Sequence, residues 1–150
     1  MPSRERAPIP EFGNRRDGVD YIDRPGVYAL IENHNKQIAI IETRNGYFLP
    51  GGGIDFGESE MEALTREIRE EIGYQACMLT EMGEAIEYIE AHSDEKFYHI
   101  RSRFYRVQLG SKIGEGSEKE ERLVWLWPEE AIKLLTRQGQ VWAVQRMTEG

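Results

Sequence analysis

The chain has 150 residues, 39% hydrophobic and 31% charged, enough for one hydrophobic core and too few for two. Against 19 Lys and Arg stand 27 Asp and Glu, a formal charge of -8, and a surface this acidic excludes general binding to a phosphate backbone. A phosphorylated small molecule is still admissible, because a bound divalent cation reverses the local sign. No segment approaches the roughly 20 apolar residues of a membrane span. Residues 1–18 lack the apolar centre of a signal peptide, and the single cysteine, Cys77, has no internal disulfide partner. The expectation is one cytoplasmic domain that engages neither membrane nor general nucleic acid.

Residues 1–25 hold four of the six prolines and little apolar periodicity, which predicts an extended arm before a domain at 26–150. The runs VYALIE and IAIIET, parted by the turn-like NHNK, predict a strand pair. GYFLPGGG reads as a short strand ending in glycines, where the chain can approach a ligand closely. From about Glu58 to Ile72, the apolar residues Met61, Leu64, Ile68 and Ile72 recur at helical spacing, with Gly73 as the C-cap. AIEYIEA and FYHIRSRFYRVQL predict a hairpin joined by HSDEK, followed by the mobile loop GSKIGEGSEKEE. RLVWLW is a further strand, Pro128 opens a helix over PEEAIKLL, and a last helix covers roughly residues 141–147. Interleaved strands and helices predict an α/β fold with a mixed sheet flanked by helices.

Glu67, Glu70 and Glu71 fall at i, i+3 and i+4 of the first helix and so share one face, about a third of a turn from the apolar stripe. Carboxylates this close repel each other, a penalty that a hard divalent cation removes. Mg²⁺ or Mn²⁺ suits such a donor set better than zinc, because no Cys or His accompanies it. Gly51, Gly52 and Gly53 before the helix offer backbone N–H groups to an anion. Arg66, four residues ahead of Glu70, is placed to pair with it. Cys77 reads as a small buried side chain, and Trp125, Trp127 and Trp142 as packing residues.

The segment Gly52 to Tyr74 resembles the Nudix box, Gx5Ex7REUxEExGU with U a bulky aliphatic residue. Gly52, Glu58, Arg66-Glu67-Ile68, Glu70-Glu71 and Gly73 match it, and only Tyr74 departs, in the last aliphatic slot. LPGGG before the box and a late strand ending in W-x-W-P-E-E are similar to the family's layout. The resemblance implies an α/β/α sandwich with a mixed β-sheet and a catalytic loop–helix–loop. It also implies metal-dependent hydrolysis of a nucleoside diphosphate linked to another moiety. It makes Glu67, Glu70 and Glu71 metal ligands with the Gly52 carbonyl, Arg66 the orienter of a ligand carboxylate, and Glu58 the brace of the loop. Glu67 or Glu70 could remove the proton of the attacking water, as could Glu118, Glu120 or Glu121 of the later loop.

For the substrate, expected to be a small phosphorylated molecule, an aromatic to stack on a base and arginines to hold phosphate point to Tyr98, Arg101, Arg103 and Arg16. His99 reads as a structural histidine. The length is similar to MutT-like enzymes acting on nucleoside triphosphates. RNA 5′ pyrophosphohydrolysis, nucleotide-sugar or dinucleoside polyphosphate hydrolysis, and a non-catalytic nucleotide-binding module are the alternatives. A homodimer is left open.

Overall fold

The computed structural model describes residues 8–91, 94–116 and 120–149. In chain order its elements are β1 (Glu11–Phe12), β2 (Tyr21–Leu30), β3 (Ile38–Thr43), β4 (Gly46–Phe48), β5 (Gly51–Gly53) and α1 (Glu60–Ile72). There follow β6 (Tyr74–Ala91), β7 (Lys96–Lys112), β8 (Arg122–Leu126), α2 (Pro128–Leu134) and α3 (Gln138–Glu149). A five-stranded sheet runs β1-β6-β7-β2-β5 and a three-stranded sheet runs β4-β3-β8. The larger sheet is mixed: β6 pairs antiparallel with β7 and β2 with β5, whereas β2 runs parallel to β7 and β1 to β6. No helix is long and apolar enough to cross a membrane.

Alternation along the central strands produces two cores. Val27, Ala29 and Ile31 of β2, with Tyr105 and Val107 of β7, pack under Ala63, Leu64, Ile68 and Ile72 of α1. Leu30, Phe104 and Ala85 face the other way, against Ala143, Val144 and Met147 of α3. The sheet therefore lies between two helical layers. Each fully buried Leu or Ile contributes roughly 1.5–3 kcal/mol, so the faces of α1 and α3 hold them to the sheet.

The α1 boundaries are chemical. Ser59 accepts the Glu62 N–H at 3.1 Å while Glu62 accepts the Ser59 N–H at 3.1 Å, a reciprocal cap that leaves Glu58 outside the helix. Gly73 closes the other end with a left-handed C-cap.

Several expectations are corrected. VYALIE and IAIIET do not pair as a ladder: β2 and β3 belong to different sheets and meet at one bridge, Glu32 with Ile38. The extended N-terminal text already contains sheet, because β2 starts at Tyr21 and Glu11–Phe12 adds to β6. β6 begins directly after the helix cap, at Tyr74, well ahead of AIEYIEA, and its pairing with β7 carries register shifts near that start. Met61 is 42% exposed, because it sits at the border of the buried face of α1 and Ala63 takes an inner position instead. Cys77 is exposed, and Trp127 is 43% exposed where β8 gives way to α2. Trp125 and Trp142 do pack against the two cores.

Candidate active site

Glu67, Glu70 and Glu71 project from α1, but not as one uniform acidic edge. Seven residues after Leu64, Glu71 returns to within about 20° of it, so its side chain turns inward beneath the helix. There its Oε1 accepts the N–H of Gly51 at 2.8 Å, joining α1 to β5. That contact corrects the expectation that this amide faces an anion. Burial pushes the Glu71 carboxyl up to about 9, against the Gly51 N–H, and the charges of Glu67 and Glu121 push the same way. Glu67 lies at intermediate depth and is raised, chiefly by burial, while Arg66 opposes that shift. Glu70 is outermost, its side chain 42% exposed.

Arg66 ties this face to the preceding loop. Its Nε and Nη2 donate to the two carboxylate oxygens of Glu58, at 2.7 and 2.9 Å. Its Nη1 donates to Glu67 at 3.0 Å and to Glu70 at 3.4 Å, and Nη2 reaches the Gly53 carbonyl at 3.4 Å. Asp55 approaches the same guanidinium at 3.3 Å, and its N–H donates to Glu58 at 2.8 Å. Hydrogen bonds from Arg66 and from the Asp55 N–H hold the Glu58 carboxyl down at about 2. The forked, two-point pairing is the kind that fixes orientation as well as charge.

Among the described residues, no three His, Cys, Asp or Glu side chains already stand at metal-binding spacing. Arg66 and the Gly51 amide engage the carboxylates instead. The donor set nevertheless fits a hard cation: it is all oxygen, and burying Glu71 beside Glu67 disfavours charge in a way that a divalent cation reverses. Gly52 is part of this fit, because a Cβ there would lie 2.8 Å from Glu67 Oε1.

On the face of the sheet opposite α1 lies a cleft of about 690 Å³, reaching from Gly53 and Ile54 to the start of α3. Tyr98, Ile100 and Ser102 of β7 line it, with Arg24 and Tyr28 of β2 and Arg137 ahead of α3. Arg24 lies over the Tyr98 ring, 4.1 Å from its centroid, and Arg137 lies 5.7 Å from that of Phe48. The Tyr28 hydroxyl is raised by burial first. Arg137 pulls it down, Glu71 and Glu67 push it up, and Arg24 pulls it down. One hydroxyl thus senses both the arginines of the cleft and the carboxylates of the helix. The two regions meet across β5.

Of the residues singled out for substrate, Tyr98 lines the cleft, and its hydroxyl donates to Asp94. Arg101 and Arg103 point to the other side of the sheet. Arg101 pairs with Glu84 at 3.2 Å, and Arg103 pairs with Glu60 at 2.7 Å and also with Glu81 and Glu84. Arg16 pairs with Glu90 at 3.4 Å beside the Phe97 ring. His99 Nδ1 stands 3.0 Å from Asp23 Oδ1. Glu120 and Glu121 border a shallow depression with Thr43, Arg44 and Asn45, close enough for Glu121 to act on Glu71. Glu118 lies outside the described residues. Sequence reasoning missed Arg24, Arg137, Glu87 and Gln140, which only folding brings to one cleft.

The family model for the NUDIX domain matches residues 23–146, and the chain belongs to that family. An RNA pyrophosphohydrolase of Ruthia magnifica subsp. Calyptogena magnifica is 34% identical over 91 residues, 59% of this chain and 50% of that protein. A Bacillus subtilis (strain 168) protein named for 8-oxo-dGTP diphosphatase activity is 30% identical over 106 residues, 69% of this chain and 66% of that one. The match thus spans half the length of the first relative and just under two thirds of the second. The crystal structure of a MutT protein from Bacillus halodurans superposes with a TM-score of 0.68 at 20% identity, covering 85% of this chain and 83% of that chain. This likeness concerns the fold.

Proposed function

We propose that the protein hydrolyses a phosphoanhydride bond in a nucleoside diphosphate linked to another moiety, with nucleoside triphosphates as the leading substrates. The supporting observation is the junction at β5, where the carboxylates of α1 stand behind Gly51–Gly53 and the cleft opens in front. Glu67, Glu70, Glu71 and the Gly52 carbonyl would hold Mg²⁺ or Mn²⁺. When bound, such a cation would offset the charge of the diphosphate and make its phosphorus more electrophilic.

The protein's own groups carry the remaining work. Arg66 and Glu58 fix the helix against the loop, so the carboxylates keep one arrangement while substrate charge arrives. Glu70, the most exposed of the three, is the first choice to accept the proton of the attacking water, with Glu67, Glu120 and Glu121 as the other candidates. As the water oxygen bonds to phosphorus, the anhydride P–O bond breaks and the leaving phosphate departs with the electron pair. Arg24 and Arg137 supply positive charge at the cleft. The lone cysteine, in no disulfide, agrees with a cytoplasmic setting.

Removal of pyrophosphate from RNA 5′ ends is the second reading, favoured by the names of four relatives and opposed by the net charge of -8. A phosphate-release screen tests both readings. Its panel is nucleoside triphosphates with 8-oxo forms, nucleotide sugars, dinucleoside polyphosphates and triphosphorylated RNA, each with Mg²⁺, Mn²⁺ or EDTA. Metal-dependent release from a triphosphate is expected. Release only from RNA would move the assignment to the second reading, and release from none would overturn both.

A further inference from the structure

The strand register makes the floor of the cleft a small lattice. Arg24 of β2 stands opposite Ile100 of β7, which stands opposite Glu87 of β6. The next row is Gly26, Ser102 and Ala85, which also line the cleft, with the Tyr28 ring beside Gly26 and Gly139 over Ala85. With about 4.8 Å between strands, Arg24 and Glu87 are rooted about 10 Å apart, on either side of an apolar centre. A flat heterocycle over Ile100 would meet a cation at one end and a carboxylate at the other.

Glu87 is only 8% exposed, and an acid so buried needs partners. One is present: Oε1 accepts the Gly139 N–H at 2.9 Å. Among the described residues, Oε2 accepts no hydrogen bond. A carboxylate offers about four lone-pair positions, so most of this group's capacity is unused by the protein and borders the cleft.

We propose that Glu87 selects the base, and that the cleft takes a ring with two adjacent N–H donors, one on a ring nitrogen and one an exocyclic amine, as in guanine. A carboxylate meets that edge with two parallel charge-assisted hydrogen bonds. Adenine and cytosine instead set a ring acceptor beside their amine, and that lone pair would face the lone pairs of Glu87. Arg24, held against Tyr98, offers donors of the kind that pair with the O6 and N7 acceptors of guanine. The inference rests on the cleft being a nucleotide site and adds which base it reads.

Glu87→Gln separates reading a base from capping α3. The glutamine can still accept the Gly139 N–H, but it replaces one carboxylate acceptor with an amide donor. Pyrophosphate release from GTP, ITP and ATP is compared for both proteins, alongside calorimetric binding of guanosine and adenosine, which needs no hydrolysis. ITP keeps the ring N–H and lacks the amine. The wild-type protein should favour GTP over ITP and ATP by roughly 10-fold or more in kcat/KM, and the substitution should lower its GTP-to-ATP ratio by roughly 10–100-fold. Guanosine binding should weaken in parallel. Equal use of GTP and ITP by the wild type, or a GTP-to-ATP ratio unmoved by the substitution, overturns the inference while the proposed hydrolysis stands. Glu87-dependent guanosine binding without hydrolysis of any triphosphate upholds the inference and removes nucleoside triphosphates as the leading substrates. Neither binding nor hydrolysis overturns both.

Discussion

The Gly51 N–H and Oε1 of the Glu71 carboxyl meet at 2.8 Å, the contact by which the inner side of α1 is fastened to β5. Its strand partner is Tyr28, so the same glycine ties helix and cleft wall together. Gly51 and its neighbour Gly52 should respond differently to substitution. Gly51 has φ +140°, and a Cβ there would stand 2.1 Å from the Val27 carbonyl, so Gly51→Ala should lower stability by at least about 1–3 kcal/mol. In Gly52→Ala the Cβ meets only the end of the Glu67 side chain, at 2.8 Å. That variant should fold and lose divalent-cation affinity. Chemical denaturation and a metal titration on both variants check the contrast, and equal stability losses would contradict it.

Arg66 cannot be replaced by lysine without consequence. An ammonium offers no planar fork for Glu58 while also reaching Glu67 and Glu70. Arg66→Lys should lower activity by roughly 10–100-fold, the usual cost of losing a group that orients ligands. Added divalent cation should restore part of it if the loss lies in metal affinity. A variant with wild-type kcat/KM would remove the orienting role.

Glu58 makes a prediction for acid. Its carboxyl titrates at about 2 in the folded protein against 4.5 ordinarily, so its ionised form favours the fold. That contribution is complete above about 4.5 and is lost as pH falls from there towards 2. Thermal unfolding of wild-type and Glu58→Gln proteins should therefore differ most near neutrality and converge in acid. A gap that stays constant between pH 7 and pH 2.5 would contradict the pairing.

Glu70→Gln tests the proton acceptor. The side chain is 42% exposed, and its partner Arg66 lies 3.4 Å away, so stability should change by no more than about 0.5 kcal/mol. Turnover should fall by at least ~100-fold with metal present. Near-normal turnover in the folded variant would move the role to Glu67, Glu120 or Glu121.

The local parts of the fold were legible, and the assembled parts were not. Helix α1 is written in its 3.6-residue spacing and Gly73, and the hairpin β6–β7 in two apolar runs around a polar turn. The sharing of one face by Phe97, His99, Arg101 and Arg103 also follows from period two. Which side of the sheet that face meets does not follow, and Arg101 and Arg103 sit with Glu60, Glu81 and Glu84 instead of in the cleft. The inward turn of Glu71 was hidden because three nearby carboxylates look alike until a neighbouring strand fixes their depth. Arg24, Glu87 and Arg137 carry no local signal. They become neighbours only through a parallel pairing and a helix contributed by distant segments.

That parallel pairing bears on how the molecule is made. Tyr21 waits for Phe97 and Leu30 for Arg106, so the middle of the sheet has no partner until the second half of the chain leaves the ribosome. At about 5–20 residues per second, the wait lasts several seconds, during which Val27, Ala29 and Leu30 stay uncovered by β7. The β6–β7 hairpin, by contrast, closes from adjacent sequence. Refolding watched by pulse-labelled amide exchange should protect the hairpin first and β2 afterwards, with the docking of β2 as the slow event of biogenesis. Simultaneous protection of all three strands would show that the sheet condenses in one step.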